Sequence, residues 1–349
     1  MKGVVPIGNC KVEIRQFDIP EPGEGEVLVD VKCAGICGSD LNTYKMTWEQ
    51  IGEKQNQQNL IMGHEAGGIV SKIGPCVKNI KVGQRVCVYH YMGCGKCKYC
   101  LEGIYAWCEQ MKAYGWNFQG AMSEYLIAKE INCCPLPENL SFEDAAFLAC
   151  SAGTAYSSLK KLARYISDGY LVVMGLGPIG IVATTLAKTK GWKTIGIDIS
   201  KSRVNFAKKK ELDVFCPEKG VPLVNQLKAK MNGKLPARIL DATGHPEGLA
   251  DCFDICDYGT HVVSIGKGRR TYKMSERINI GELVFKQIIF MTSFVYTLPE
   301  YYEMVEFMLD NKLSFNNLVT GRFNFEEAQK AFEKAASLEN AGKTVFIKK

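Results

Sequence analysis

No stretch of the chain approaches the roughly 18 consecutive apolar residues that a membrane-spanning helix needs, and residues 1–10 carry no charged-then-apolar leader. These absences exclude a helical membrane protein, and they set the expectation of a cytoplasmic one without a membrane partner. Internal repeats and low-complexity segments are missing too, so extensive disorder is not expected. Charge of one sign is also lacking. The 43 basic and 37 acidic residues are interspersed, and the resulting +6 points to no nucleic-acid partner. The densest basic cluster, Lys208, Lys209 and Lys210, follows an apolar-periodic stretch and reads as a solvated helix face. Cysteine, by contrast, is plentiful. Fifteen is an odd number, spread over a long chain without a secretion signal, which fits metal ligation and buried thiols better than a disulfide framework.

At 349 residues the chain exceeds one ordinary core, and about 150 residues per domain predicts two. The first third holds short alternating runs at 27–31, 68–70 and 85–88, punctuated by glycine and proline, and reads as an all-β, barrel-like half. At Ser141 the texture changes to a helical pattern that this serine caps. Between about 169 and 290, buried-strand runs (170–174, 194–197, 238–240, 260–265) alternate with helix-length segments, the mark of a parallel α/β sheet. A helix is expected over 325–338 and a final strand over 344–347, while the polar, Gln-rich 49–59 reads as a surface loop.

Cys94, Cys97, Cys100 and Cys108 form C-x2-C-x2-C-x7-C, with Gly93 and Gly95 allowing tight turns around the first thiol. Four thiolates complete a tetrahedral zinc shell with no open position, which is structural chemistry. An iron–sulfur cluster, a zinc ribbon and coincidental buried thiols compete with that reading; the enzyme-like organisation elsewhere favours structural zinc. His90, just upstream, is superfluous to a four-thiolate site and reads as a partly buried strand histidine.

A second constellation starts at Cys37-Gly38-Ser39-Asp40 and Gly63-His64-Glu65, which put a thiolate and an imidazole on separate turns. Catalytic zinc takes three protein ligands and keeps a fourth place open. Further on, Leu171-Val172-Val173-Met174 runs into Gly175-Leu176-Gly177-Pro178-Ile179-Gly180 and then a helical segment, placing a dinucleotide fingerprint between strand and helix. Gly175 allows the turn, Gly177 admits the pyrophosphate, Gly180 permits close packing, and the helix start that Pro178 and Ile179 open attracts phosphate. Asp198 ends the next strand, where a carboxylate accepts ribose hydroxyls and repels a 2′-phosphate; it favours NAD over NADP.

With these motifs in order over nearly its whole length, the chain resembles the zinc-containing medium-chain dehydrogenase family of alcohol, polyol and threonine dehydrogenases. The resemblance implies an α/β architecture: a GroES-like β-barrel catalytic domain (1–155 and 297–349) and a Rossmann domain with a doubly wound parallel sheet (156–296), with the active site in the cleft. It implies two zinc ions per chain, one structural and one catalytic. Cys150 takes the place of the third catalytic ligand beside Cys37 and His64; sorbitol-type members carry glutamate there. Glu65 matches the acidic neighbour of the histidine, as an outer group or an exchangeable ligand. Asp40 would accept the second imidazole proton of His64, or simply cap its turn.

By the same resemblance Ser39 receives the alcohol proton, while Arg203 lies near the adenosine, Thr154 near the nicotinamide, and Ala242, Thr243 and Ile265 along its wall. Many relatives end the proton relay with a histidine where this chain has Asn42. The proton then leaves through the ribose and water, the preferred option, or Asn42 binds a polar substrate. Aromatic candidates for the pocket wall are Tyr44, Trp48, Trp116, Phe118 and Phe294. The implied activity is NAD-dependent oxidation of a secondary alcohol, such as a polyol, cyclitol, amino alcohol or sugar derivative, by a homodimer or homotetramer joined near 288–295. Two readings compete: a zinc-binding Rossmann redox sensor or nucleic-acid module without turnover, and a reductase of the same superfamily lacking catalytic zinc. Metal content separates the three.

Overall fold

The computed structural model describes residues 1–53, 59–163, 169–265 and 273–348. It divides into two compact units, Met1–Gly153 with Thr297–Lys349, and Thr154–Tyr296. Among the described residues no helix is long and apolar enough to cross a membrane.

The first unit is built on a mixed sheet whose strands run Val319–Phe323, Lys343–Ile347, Glu26–Gly35, Glu65–Ile73, Arg85–Val88 and Cys133–Pro135, with Tyr125–Lys129 also paired to Glu26–Gly35. Val27, Val29, Val31, Val70, Val86, Val88 and Phe346 fill its core; β-branched residues suit a pleated, buried surface. The last strand returns antiparallel to Glu26–Gly35, with Val345 opposite Gly35, while Gly35 on its other side faces Glu65. Ser141 caps the helix Phe142–Phe147 as expected, in a reciprocal box: the amide of Asp144 donates to Ser141 Oγ at 3.0 Å, and the amide of Ser141 to Asp144 Oδ2 at 2.9 Å. Asp144 also accepts the amide of Phe315 at 2.6 Å, tying the chain's return to the same unit.

The second unit holds a six-stranded parallel sheet ordered Val214–Phe215, Thr194–Ile197, Leu171–Met174, Arg238–Asp241, His261–Ser264, Ile289–Thr292. In chain order this is 3-2-1-4-5-6, the doubly wound dinucleotide-binding order.

Three local expectations change. Residues expected in a loop at 49–59 begin instead with the end of a helix, Trp48–Glu53, and 54–58 lie outside the described residues. The tail helix opens as a 3-10 turn, Phe325–Glu327, capped by Asn324, before the α-helix Ala328–Ala336. His90 lies at a bend rather than in a strand and is fully buried, its Nδ1 2.7 Å from the carbonyl of Ala149.

Candidate metal centres and dinucleotide cradle

Cys37 caps the short helix Gly38–Tyr44, and its amide donates to Asp40 Oδ2 at 2.8 Å. The other oxygen of Asp40 lies 3.5 Å from Nδ1 of His64, so Asp40 both caps the turn and faces the imidazole. His64 follows Gly63, whose φ of +89° takes the left-handed region open to glycine, and Glu65 starts the strand Glu65–Ile73. Cys150 sits in a π-helical turn, Leu148–Ala152, inserted between two α-helical segments. Such insertions rotate the following residues out of the α-helical register and recur at functional sites.

These elements bring the ligand atoms of Cys37, His64, Glu65 and Cys150 within 4.8 Å of one another. The two sulfurs are 3.9 Å apart. The hydrogen bond from Cys150, opposed by burial and helped by His64, holds the Cys37 thiol well below its ordinary pKa; the same bond and burial push Cys150 up. Burial works against a charge on His64, yet Asp40 and Cys37 outweigh it and raise its pKa. Burial lifts Glu65 to about 7 against the opposing charge of Lys343. Ser39 Oγ is buried without a hydrogen-bond partner among the described residues. Two soft sulfurs and an imidazole form a donor set suited to zinc with one place left over.

The aromatic candidates divide. The Trp116 ring lies 5.3 Å from that of His64. Tyr44 is not a pocket wall: it packs in the core 5.1 Å from Phe332, its hydroxyl accepting from Gln329. Phe118 stands against Tyr114 and the core, and Phe294 belongs to the second unit. Trp48 is half-buried at the start of its helix. One residue read only as a structural histidine, and one the sequence did not single out, also lie here. The His90 ring is 4.9 Å from that of His64, and Lys343 forms an ion pair with Glu65.

The sulfurs of Cys94, Cys97, Cys100 and Cys108 also gather within 4.8 Å. The helix Lys98–Leu101 and the 3-10 turn Tyr105–Trp107 position the last two. Amides of Lys96 and Cys97 lower Cys94 to about 6, whereas burial raises Cys100 to about 12. The two neighbouring glycines act differently. Gly95 has φ +76° with open space beside it, while a Cβ on Gly93 would overlap Sγ of Cys100. Gly93→Ala is therefore expected to lower metal content by about one zinc per chain, since a four-ligand structural site tolerates no displaced thiolate. Gly95→Ala should retain the metal and cost about 1–2 kcal/mol of stability. Equal zinc in the two variants, read by elemental analysis, would refute the packing role of Gly93.

In the second unit, Gly175 has φ +90°, a Cβ on Gly180 would overlap the Gly175 carbonyl, and a Cβ on Gly177 would meet nothing within 4 Å. The open side of Gly177 is the approach a phosphate needs at the start of the helix Pro178–Thr189, where Pro178 and Ile179 open the first turn. Asp198 accepts the amides of Leu176 at 2.7 Å and Ser200 at 2.8 Å, and Arg203 Nη1 lies 3.4 Å from Oδ2. Thr243 donates its amide and hydroxyl to the buried Asp241, which also accepts the Ser264 hydroxyl at 2.6 Å. Ala242 and Ile265 follow the carboxyl ends of their strands, and Thr154 lies in the first turn of the helix Gly153–Ala163. Ligands of doubly wound sheets bind at those strand ends.

Residues 23–138 match the alcohol dehydrogenase GroES-like domain and residues 178–310 the zinc-binding dehydrogenase domain. The chain is 35% identical to an uncharacterised zinc-type alcohol dehydrogenase-like protein of Escherichia coli (strain K12), over 97% of this chain and 96% of that protein. It is 31% identical to D-xylulose reductase A of Aspergillus oryzae, covering 93% of this chain and 90% of that one. Among solved structures, the alcohol dehydrogenase of Thermus sp. ATN1 superposes with a TM-score of 0.88 at 25% identity, covering 99% of both chains. The chain belongs to the zinc-dependent medium-chain dehydrogenase family of oxidoreductases, with a GroES-like domain and a Rossmann domain.

Proposed function

We propose that the protein is an NAD-dependent zinc alcohol dehydrogenase that interconverts a secondary alcohol (a polyol, cyclitol, amino alcohol or sugar derivative) and its carbonyl. The observation that carries this reading is the convergence of Cys37, His64 and Cys150 within 4.8 Å, with the Ser39 hydroxyl, two residues on from Cys37, buried without a partner among the described residues. The reduction of D-xylulose, a sugar carbonyl, named for the Aspergillus relative supports the substrate class.

Cys37, His64 and Cys150 would hold the catalytic zinc, and Cys94, Cys97, Cys100 and Cys108 a structural one. When bound, the catalytic zinc supplies positive charge that lowers the pKa of a substrate hydroxyl. Asp40, facing Nδ1, fixes the His64 tautomer and leaves Nε2 for ligation. Ser39 Oγ accepts the hydroxyl proton and hands it on. Asn42 has no acid/base group at neutral pH, so the proton's exit from Ser39 would depend on the ribose of a bound cofactor and on water rather than on this side chain. Trp116, its ring tilted 34° to that of His64 at 5.3 Å, would form part of the substrate wall. Gly175, Gly177 and Gly180 would cradle the pyrophosphate, and Asp198 would take the adenosine ribose.

We also propose a dimer or tetramer through the sheet edge Ile289–Thr292. Val284 and Phe285 on the neighbouring helix are 71% and 68% exposed, and an uncovered apolar edge invites pairing. One preparation tests the whole proposal. It should contain about two zinc ions per chain, sediment as a dimer or tetramer, and form NADH with one class in a panel of simple alcohols, polyols, cyclitols and threonine. Turnover with NADP alone would overturn the cofactor, and no turnover by fully metallated protein would overturn the activity.

A further inference from the structure

Lys343 heads the last strand of the first unit, and its side chain is 1% exposed where it meets Glu65, itself 0% exposed. Nζ lies 2.7 Å from Glu65 Oε2 and 3.4 Å from Oγ of Ser151, the residue after Cys150. Strand pairing builds this contact, because Gly35 stands between Val345 on one side and Glu65 on the other. Gly35 must lack a side chain. A Cβ there would overlap Glu65 Oε2 and lie 2.8 Å from Lys343 Cε. Both oxygens are buried without a hydrogen-bond partner among the described residues, Oε2 having the ion pair with Lys343, and the carboxylate is gathered with the three proposed ligands.

A carboxylate so placed competes for the last position around a metal. Two thiolates already neutralise a divalent ion, and Glu65 would add a surplus negative charge that Lys343, in direct contact with it, offsets. We propose that Lys343 is a positioning residue: it holds Glu65 by Oε2 and thereby keeps the fourth position of the Cys37, His64 and Cys150 site available to substrate oxygen. The inference rests on the ligand assignment proposed above and adds the device that regulates access to it.

The test uses full-length protein with Co2+ in the catalytic site and imidazole as an external ligand, followed by the visible cobalt bands. In Lys343→Met, Glu65 is free to close the shell, so at least about ten-fold more imidazole should be needed to move the bands than in the wild type, the scale of outer-shell effects. Lys343→Arg should titrate like the wild type, and the double variant Lys343→Met, Glu65→Gln should return to it, since the amide is a poor competitor. If Lys343→Met does not fold, Lys343→Gln, of similar reach without the charge, should show a shift in the same direction. Unchanged imidazole response in whichever of the two folds overturns this inference alone. Absence of a thiolate-to-cobalt band in the wild type removes the ligand assignment and this inference with it.

Discussion

Replacing Cys150 with alanine is expected to lower kcat/KM by about three orders of magnitude or more, because the charge stabilisation a catalytic metal supplies is worth several kcal/mol and each 1.4 kcal/mol is ten-fold. Zinc content should fall from about two ions per chain to about one, the four-thiolate lobe keeping its own. The fold should survive. Cys150 is buried, but the change removes a single sulfur from a π-helical turn whose other residues remain packed, a loss of about 1–2 kcal/mol. Cys37→Ala should behave alike, since its sulfur lies 3.9 Å from that of Cys150 and either thiol alone leaves the site short of ligands. Cys108→Ser is the control, removing the other zinc with a smaller effect on the chemical step. A Cys150→Ala protein that keeps two zinc ions and wild-type rates would show that the site of chemistry lies elsewhere.

These two clusters differ in how far the sequence alone exposes them. Cys94, Cys97, Cys100 and Cys108 lie on one short lobe, so spacing carries the information, and the glycine fingerprint is equally local to one strand, turn and helix. Cys37, His64 and Cys150 come from an N-cap, a turn before a strand and a π-helical turn, and nothing in the spacing of Cys150 announces it; its place came from family resemblance. Lys343 was invisible for a different reason. Its role depends on which strand the last one pairs with, a long-range fact, and a lone lysine beside a short apolar run usually marks a solvated strand end. His90, read from the sequence as a partly buried strand histidine, lies fully buried at a bend with its ring 4.9 Å from that of His64. Tyr44 erred in the opposite direction, its helix directing it into the core against Phe332. The parallel sheet was legible because fully buried strands read as continuous apolar runs.

Asp198→Asn is expected to shift the ratio of NAD to NADP efficiency by about a hundred-fold towards NADP, the size expected for removing a repelled or bidentate charge at about 1–3 kcal/mol. The choice of asparagine follows from a second duty of this side chain. Oδ2 accepts the buried amide of Leu176, inside the glycine turn, and Oδ1 accepts that of Ser200, so the carboxylate shapes the cradle it also charges. Asp198→Ala would strip both acceptors and cost about 1–3 kcal/mol for a buried donor left unpaired, lowering use of both cofactors and hiding any change in preference. Asparagine keeps one acceptor for Leu176 while removing the charge that opposes a 2′-phosphate. Arg203, 3.4 Å from Oδ2, then keeps a charge of the sign an added phosphate needs without the carboxylate opposing it. Two measurements separate the duties: thermal midpoints should fall more for alanine than for asparagine, and the NAD to NADP ratio should move in asparagine with little loss of stability. An unchanged ratio in Asp198→Asn would leave this carboxylate a turn-forming group only, and preference would have to come from the groups after it, Ser200 to Arg203.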